Sequence, residues 1–249
     1  MLTLYYCPGL CSLASHITIE ESGAAYAEKV VNVMKGEHMA PDYLKVNPRH
    51  KVPALDIDGT ILLENAAIMA YLAKKFPAAK LKPEGELDEA RWTSIMTWLA
   101  DTLHPSFTRI FRSDKFASDP AAQAAIKESG KKEAWDNLSE IDGMLSKGLW
   151  MMGAQFTTCD PYAMVFYSWG MRAELPLKDL KNYTAWKDRM LQRAGGEEDP
   201  ERRAEPAGES GLTFTVIARR PSATKQSRDL TCCPGLLRPH PELVEGRSQ

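Results

Sequence analysis

The sequence predicts an α/β domain of order βαβ-α-ββα over residues 1–78, followed by an all-α helical-bundle domain over residues 86–193. Three observations carry this. A short apolar strand, Leu2–Tyr6, feeds directly into a helical segment that stops at Gly23. Asp58-Gly59 separates two apolar runs and is a strong hairpin-turn signal. From Leu87 to Arg193 the apolar periodicity is helical throughout.

The elements follow in order. Leu2–Tyr6 reads as a buried strand. Cys11–Ser22 is a helix with Leu10, Ala14 and Ile17 inward and Gly23 as its C′ stop. Residues 25–33 alternate as a second strand, and Pro41–Val46 suits a short helix ending before Asn47-Pro48. Val52–Ile57 and Thr60–Leu63 form the hairpin. Asn65 then caps a helix that turns Ile68, Met69 and Leu72 inward and ends near Phe76-Pro77. The first two strands with their helix make a parallel βαβ unit. In the second domain, Thr157 and Asp160 have capping-box spacing, and the apolar run Tyr162–Trp169 fits a helix buried nearly all round.

Composition excludes several classes. A balance of 31 basic and 33 acidic residues argues against a nucleic-acid partner. No apolar run reaches the ~18 residues of a membrane span. Met1-Leu2-Thr3-Leu4-Tyr5 lacks the basic flank and long apolar stretch of a secretory signal. Five cysteines do not make a disulfide scaffold, so a reducing cytoplasm is expected. No metal-ligand set is read in the sequence. Past residue 194 the character changes. All 11 Met, 6 Trp and 8 Tyr lie at or before Met190, and Arg replaces Lys as the main cation beyond it. Residues 194–249 therefore read as an aberrant, disordered tail, although Leu212–Ala218 alternates like a strand.

Chemistry concentrates at three places. Cys11 sits where the first strand turns into the first helix, where free amides and the helix dipole lower a thiol's pKa. The same amides suit the thiolate of a bound small thiol. Val52-Pro53 opens the third strand; a cis bond there would leave the Val52 amide and carbonyl for a ligand's peptide groups. Glu64-Asn65 precedes the third helix, whose amides suit a carboxylate while Glu64 accepts from an ammonium group. Together the last pair fits the α-amino acid end of a ligand.

With these residues in place, the segments Pro8-Gly9-Leu10-Cys11-Ser12-Leu13-Ala14, Asn47-Pro48-Arg49-His50-Lys51-Val52-Pro53 and Glu64-Asn65-Ala66-Ala67-Ile68 resemble the thioredoxin-like glutathione-binding domain of a glutathione S-transferase. A cysteine in place of tyrosine or serine points to the bacterial, beta-like class. Leu103-His104-Pro105-Ser106-Phe107 and Phe156-Thr157-Thr158-Cys159-Asp160 agree with it in the second domain. The resemblance implies that glutathione is a co-substrate, without a metal, and that a small hydrophobic electrophile is the other. It implies that Cys11 faces the glutathione sulfur and His104 projects toward it. Val52, with Pro53 cis, pairs with the cysteinyl portion, Glu64 and Asn65 hold the γ-glutamyl end, and Lys35 reaches the glycyl carboxylate. It further implies a homodimer.

Alternatives stay open: a glutathione-dependent disulfide reductase or dehalogenase using Cys11 covalently, or a product impaired by its altered C-terminus. His16 is set aside as a helix-packing residue and Tyr6 as core. Pro105 is expected to kink its helix. The spacing of Cys7 and Cys11 raises a reversible disulfide. After Arg193, where the family's last helix continues, the sequence turns to Ala194-Gly195-Gly196-Glu197, which looks like a frame change.

Overall fold

In the computed structural model, residues 1–194 are described, and the expectation for the tail lies outside them except at Ala194. Strand β1 (Leu2–Tyr6) is central because four of its five residues are buried. It pairs in parallel with β2 (Tyr26–Val30) and antiparallel with β3 (Ala54–Ile57), which in turn pairs with β4 (Thr60–Leu63). The sheet order is β2-β1-β3-β4. Asp58 and Gly59 both have positive φ, 52° and 90°, as a tight hairpin turn requires.

Helix α1 (Leu13–Glu21) has two partners, not one. Ile19 packs with Leu4, Tyr6, Leu55 and Ile68 over the sheet. Leu13 and Ala14 join the core of the helical domain. This corrects the inward face read from sequence: Ile17 is only partly buried, and Leu10 packs in a separate cluster with Tyr5, Cys7, Val31 and Tyr43. A helix squeezed between two layers has no single apolar stripe to read. Helix α2 (Pro41–Val46) supplies Tyr43, and α3 (Asn65–Lys75) turns Ile68, Met69 and Leu72 inward as predicted.

The second domain begins with α4 (Glu86–Trp98) and α5 (His104–Phe111). They are joined by a π-helical turn, Leu99–Leu103, where a kink was expected. Pro105 has no amide hydrogen to give, and the wider turn accommodates its ring. Helix α6 (Pro120–Leu145) starts with the Asp119 carboxylate accepting from the Ala122 amide. It crosses α5 so closely at Gly130 that a Cβ there would lie 2.8 Å from Arg109 Cβ and from the Ser106 carbonyl.

Between α6 and α7 (Cys159–Arg172) the chain is not helical: bridges pair Trp150 with Gly153 and Met152 with Gln155. Every α7 residue from Cys159 to Gly170 is buried, which fits its apolar run. Half of the expected capping box is present: the Thr157 amide donates to Asp160 Oδ2, but the Thr157 hydroxyl accepts from the Cys159 amide and Thr158 holds the N-cap position without a side-chain cap bond. Asp160 also accepts from the Met151 amide and the Trp186 indole. Helix α8 (Lys181–Ala194) buries Tyr183, Trp186 and Met190, so its apolar face is covered up to the last described turn. Among the described residues no helix is long and apolar enough to cross a membrane.

Candidate active site

The turn from β1 into α1 is fixed before any ligand arrives. Ser12 Oγ accepts from the Cys7 amide and donates to the Cys7 carbonyl, both at 3.0 Å. Gly9 adopts φ +75°, a conformation glycine reaches without a Cβ penalty. Its carbonyl accepts from Trp169 Nε1 at 3.2 Å and from the Arg172 guanidinium at 3.0 Å, so α7 pins the turn. The Cys11 carbonyl accepts from Asn65 Nδ2 at 2.9 Å, and Ser15 Oγ donates to Asn65 Oδ1 at 2.6 Å.

Asn65 is therefore not the cap that the sequence reading made it. Glu64 holds the N-cap position without a side-chain cap bond, and Asn65 is the first helical residue. Its side chain is committed sideways to α1. Glu64 takes φ 72°, a conformation that costs a non-glycine residue about 1–3 kcal/mol. Its carboxylate pairs with Arg49 at 2.7 Å, with both side chains largely exposed.

Across the turn, the Val52–Pro53 bond is cis. The Lys51 carbonyl just before it accepts from Tyr43 Oη at 2.6 Å and Asn47 Nδ2 at 2.7 Å, which holds the segment in place. The Cys11 thiol donates to the Val52 carbonyl at 3.4 Å. The carbonyl expected to be free for a ligand is thus occupied by the thiol.

The thiol itself behaves differently from expectation. Burial pushes Cys11 up to about 11, although the Cys11 and Ser12 amides, Asn65 and Lys51 all act to lower it. Desolvation outweighs the helix-start amides, so Cys11 is a neutral donor at pH 7 and not a thiolate. His104, the first residue of α5, packs edge-on against Trp169, with ring centroids 5.0 Å apart. Burial, with Lys51 nearby, holds its imidazole down to about 4. Tyr162 on α7 is pushed well above the usual phenol range by burial and by Cys11 and Glu64.

Cys11 is therefore in direct hydrogen-bonded contact with Val52 and Asn65; Tyr162 lies within electrostatic reach of Cys11 and Glu64, and His104 within reach of Lys51 and Glu64. Lys35 lies exposed in a short 3-10 turn capped by Asn32 and forms no hydrogen bond or ion pair with it. Tyr6 points elsewhere, donating to Glu28. Cys11 and Cys159 are free thiols. Cys7 and Cys11 pack in different clusters, so their spacing does not bring about a disulfide here.

Sequence reasoning missed Lys51, Tyr162, Trp169 and Arg172. Lys51 stands beside Val52-Pro53 and was legible as the nearest cation. The other three lie on α7, over 150 residues from the turn they serve, and carry no local signal of it.

The glutathione S-transferase N-terminal domain model matches residues 1–74. Glutathione S-transferase GstA of Escherichia coli O157:H7 is 34% identical over 195 residues, covering 77% of this chain and 94% of that protein. Glutathione S-transferase GST-4.5 of Xanthomonas campestris pv. campestris is 32% identical, over 76% of this chain and 93% of its own. A glutathione transferase homologue from Sulfitobacter, solved with bound glutathione, superposes with a TM-score of 0.74 at 30% identity, covering 78% of this chain and 94% of that one. The bacterial beta class enzyme of Sphingomonas chungbukensis gives 0.68 at 32% identity, covering 77% and 93%. Identity that spans nearly the full length of GstA, on a β2-β1-β3-β4 sheet followed by a helical bundle, places the chain in the glutathione S-transferase family.

Proposed function

We propose that the chain conjugates glutathione to small hydrophobic electrophiles, with Cys11 as a hydrogen-bond donor to the glutathione sulfur. The observation that carries this is the Cys11 thiol lying 3.4 Å from the Val52 carbonyl at the start of α1. A glutathione peptide N–H that takes the Val52 carbonyl releases the Cys11 S–H to turn toward the incoming sulfur. A neutral donor stabilises a developing thiolate, whereas a second thiolate would repel it. Lowering a thiol from ~8.5 to ~7 raises its thiolate fraction at neutral pH roughly tenfold or more.

The remaining contacts follow the site's chemistry. Val52 and Pro53 present the backbone for the cysteinyl portion. Glu64 exchanges Arg49 for the γ-glutamyl ammonium, and the Asn65 amide at the start of α3 takes its carboxylate. Lys35 reaches the glycyl carboxylate. His104, neutral at pH 7, lies on the helical side of the cleft where the electrophile sits. The bound thiolate then attacks the electrophilic carbon and the leaving group departs with its electron pair.

The reading includes a homodimer in a reducing cytoplasm, where the Cys11 thiol stays reduced. Calorimetry with glutathione, and turnover of an activated aryl chloride, test it. Glu64→Ala binding glutathione as tightly as the parent would contradict the γ-glutamyl placement. Loss of nearly all conjugation in Cys11→Ser would favour covalent catalysis, as in a reductase or dehalogenase, over the donor role. A monomeric mass by light scattering would count against the dimer.

A further inference from the structure

We propose that the Tyr162 hydroxyl of α7 donates a second hydrogen bond to the glutathione sulfur, beside that from Cys11, and is thereby a catalytic residue supplied by the helical domain. The inference rests on the conjugation proposed above and adds to it a residue that carries no signal in the sequence. Tyr162 lies in the first turn of α7, two residues past Asp160, whose carboxylate is bonded into the helix start. Its ring belongs to the core that includes Leu13, Ala14 and Met69, and Cys11 and Ala66 pack against that core. The ring lies 5.2 Å from Phe166, centroid to centroid, and Phe166 in turn meets His104 edge-on at 6.2 Å. Tyr162 therefore shares one core with the starts of α1 and α3, the places assigned to the sulfur and to the γ-glutamyl end.

Its hydroxyl stands apart from the others. A buried tyrosine normally finds a hydrogen-bond partner for its oxygen. Tyr5, Tyr6, Tyr43, Tyr167 and Tyr183 all have one. Among the described residues, Tyr162 is the one buried tyrosine whose hydroxyl makes no hydrogen bond, although the residue is only 2% exposed. Nor is the oxygen sealed in. The fully enclosed side-chain atoms without a partner are His38 Nδ1 and Arg189 Nε, and the Tyr162 oxygen is not among them. The small surface that Tyr162 keeps therefore includes its oxygen.

Cys11 and Glu64 both act on this phenol, so the hydroxyl faces the turn that carries the thiol. Burial and those two groups hold it far above the usual phenol range, and it keeps its proton as a neutral donor. Lys51, which acts on both Cys11 and His104, favours a thiolate here by its charge, and His104, held down to about 4, is neutral at pH 7. A thiolate accepts more than one donor, and a hydrogen bond to a charged acceptor is about twice as strong as a neutral one. Glutathione sulfur set against Cys11 thus receives an S–H from one domain and an O–H from the other. The proton of glutathione passes to solvent on binding, and the phenol keeps its own. The thiolate is held best when the two domains are in register, which Trp169 and Arg172 of the same helix secure through the Gly9 carbonyl.

The test compares the full chain with Tyr162→Phe, which removes the oxygen alone. Ultraviolet difference absorbance of the bound thiolate, followed against pH, gives the apparent pKa of glutathione in the site. Tyr162→Phe should raise that pKa by about 1 and lower kcat/KM for an activated aryl chloride about tenfold at about pH 6.5, since one pKa unit is about a factor of ten in thiolate. At about pH 9 the loss should disappear, because the sulfur is then mostly ionised in both proteins while Cys11, up at about 11, is still a neutral donor. The melting temperature should match the parent's, because the hydroxyl has no protein partner to lose. An unchanged glutathione pKa, an equal loss of kcat/KM at every pH, or a large fall in melting temperature would each overturn the donor role and leave Tyr162 as a packing residue. A parent chain that neither binds nor ionises glutathione would overturn the conjugation itself, and the role of Tyr162 with it.

Discussion

The Arg172 guanidinium donates to the Gly9 carbonyl at 3.0 Å across 163 residues of sequence. It ties the last turn of the buried helix α7 to the loop that carries Cys11, so the helical domain sets the position of that turn. Arg172→Met should therefore lower kcat/KM about tenfold, equivalent to ~1.4 kcal/mol of positioning, with only a small change in melting temperature. Steady-state kinetics beside thermal unfolding checks this; an equal fractional loss of both would assign Arg172 to folding alone.

Gly9→Ala should act on the same turn by another route. The added Cβ would meet Arg172 at 3.9 Å, an ordinary contact, so space is not the obstacle. The φ of +75° is, and holding alanine there costs about 1–2 kcal/mol. Urea unfolding should show a destabilisation of that order.

Cys11 should alkylate slowly at pH 7 and faster only as pH rises toward its raised value of about 11. Lys51 favours the thiolate by its charge, so Lys51→Met should slow alkylation further at pH 9. Mass spectrometry of iodoacetamide-treated protein measures both rates. Rapid modification at pH 7 would mean that the helix amides outweigh burial.

His104 should titrate by NMR near 4 instead of its ordinary value of ~6.5. Its folded-state value is depressed, so its stabilising effect is present above ~6.5 and is lost as pH falls through about 4. Any loss of activity caused by protonating His104 should appear near that lower pH. A midpoint near 6.5 would show the imidazole to be solvated.

Asp160 has the opposite sign. Burial lifts its carboxyl to about 6 despite two amides and the Trp186 indole donating to it. The folded state holds the proton more tightly than the unfolded chain, whose value is ~3.9. Stability from this group is therefore full below ~pH 4 and is lost as pH rises through about 6, by ~3 kcal/mol at ~1.4 kcal/mol per unit. Asp160→Asn should remove that slope from urea unfolding measured between pH 4 and 7. Asp160→Ala should cost more than ~3 kcal/mol at pH 7, because three buried donors lose their acceptor.

What the sequence determined by itself was whatever local chemistry enforces. Asp58-Gly59 could only be a tight hairpin turn, Gly23 could only end α1, and Asp160 reached back to the Thr157 amide at the start of α7, because positive φ and helix-start geometry are set within a few residues. The same locality placed Cys11 at a strand-to-helix turn and Val52-Pro53 just ahead of the third strand, and the motif combination pointed to the family. The tertiary structure decided the rest. It made Cys11 a neutral thiol, since desolvation depends on what covers the turn and not on the turn itself. It turned Asn65 from a cap into a brace between α3 and α1, and let a π turn absorb Pro105, because each neighbour comes from another element. It split the faces of α1 between two cores, and brought Tyr162 of α7 within reach of Cys11. Burial, electrostatics and long-range contacts are sums over residues that only the fold brings near, so no window of the chain contains them.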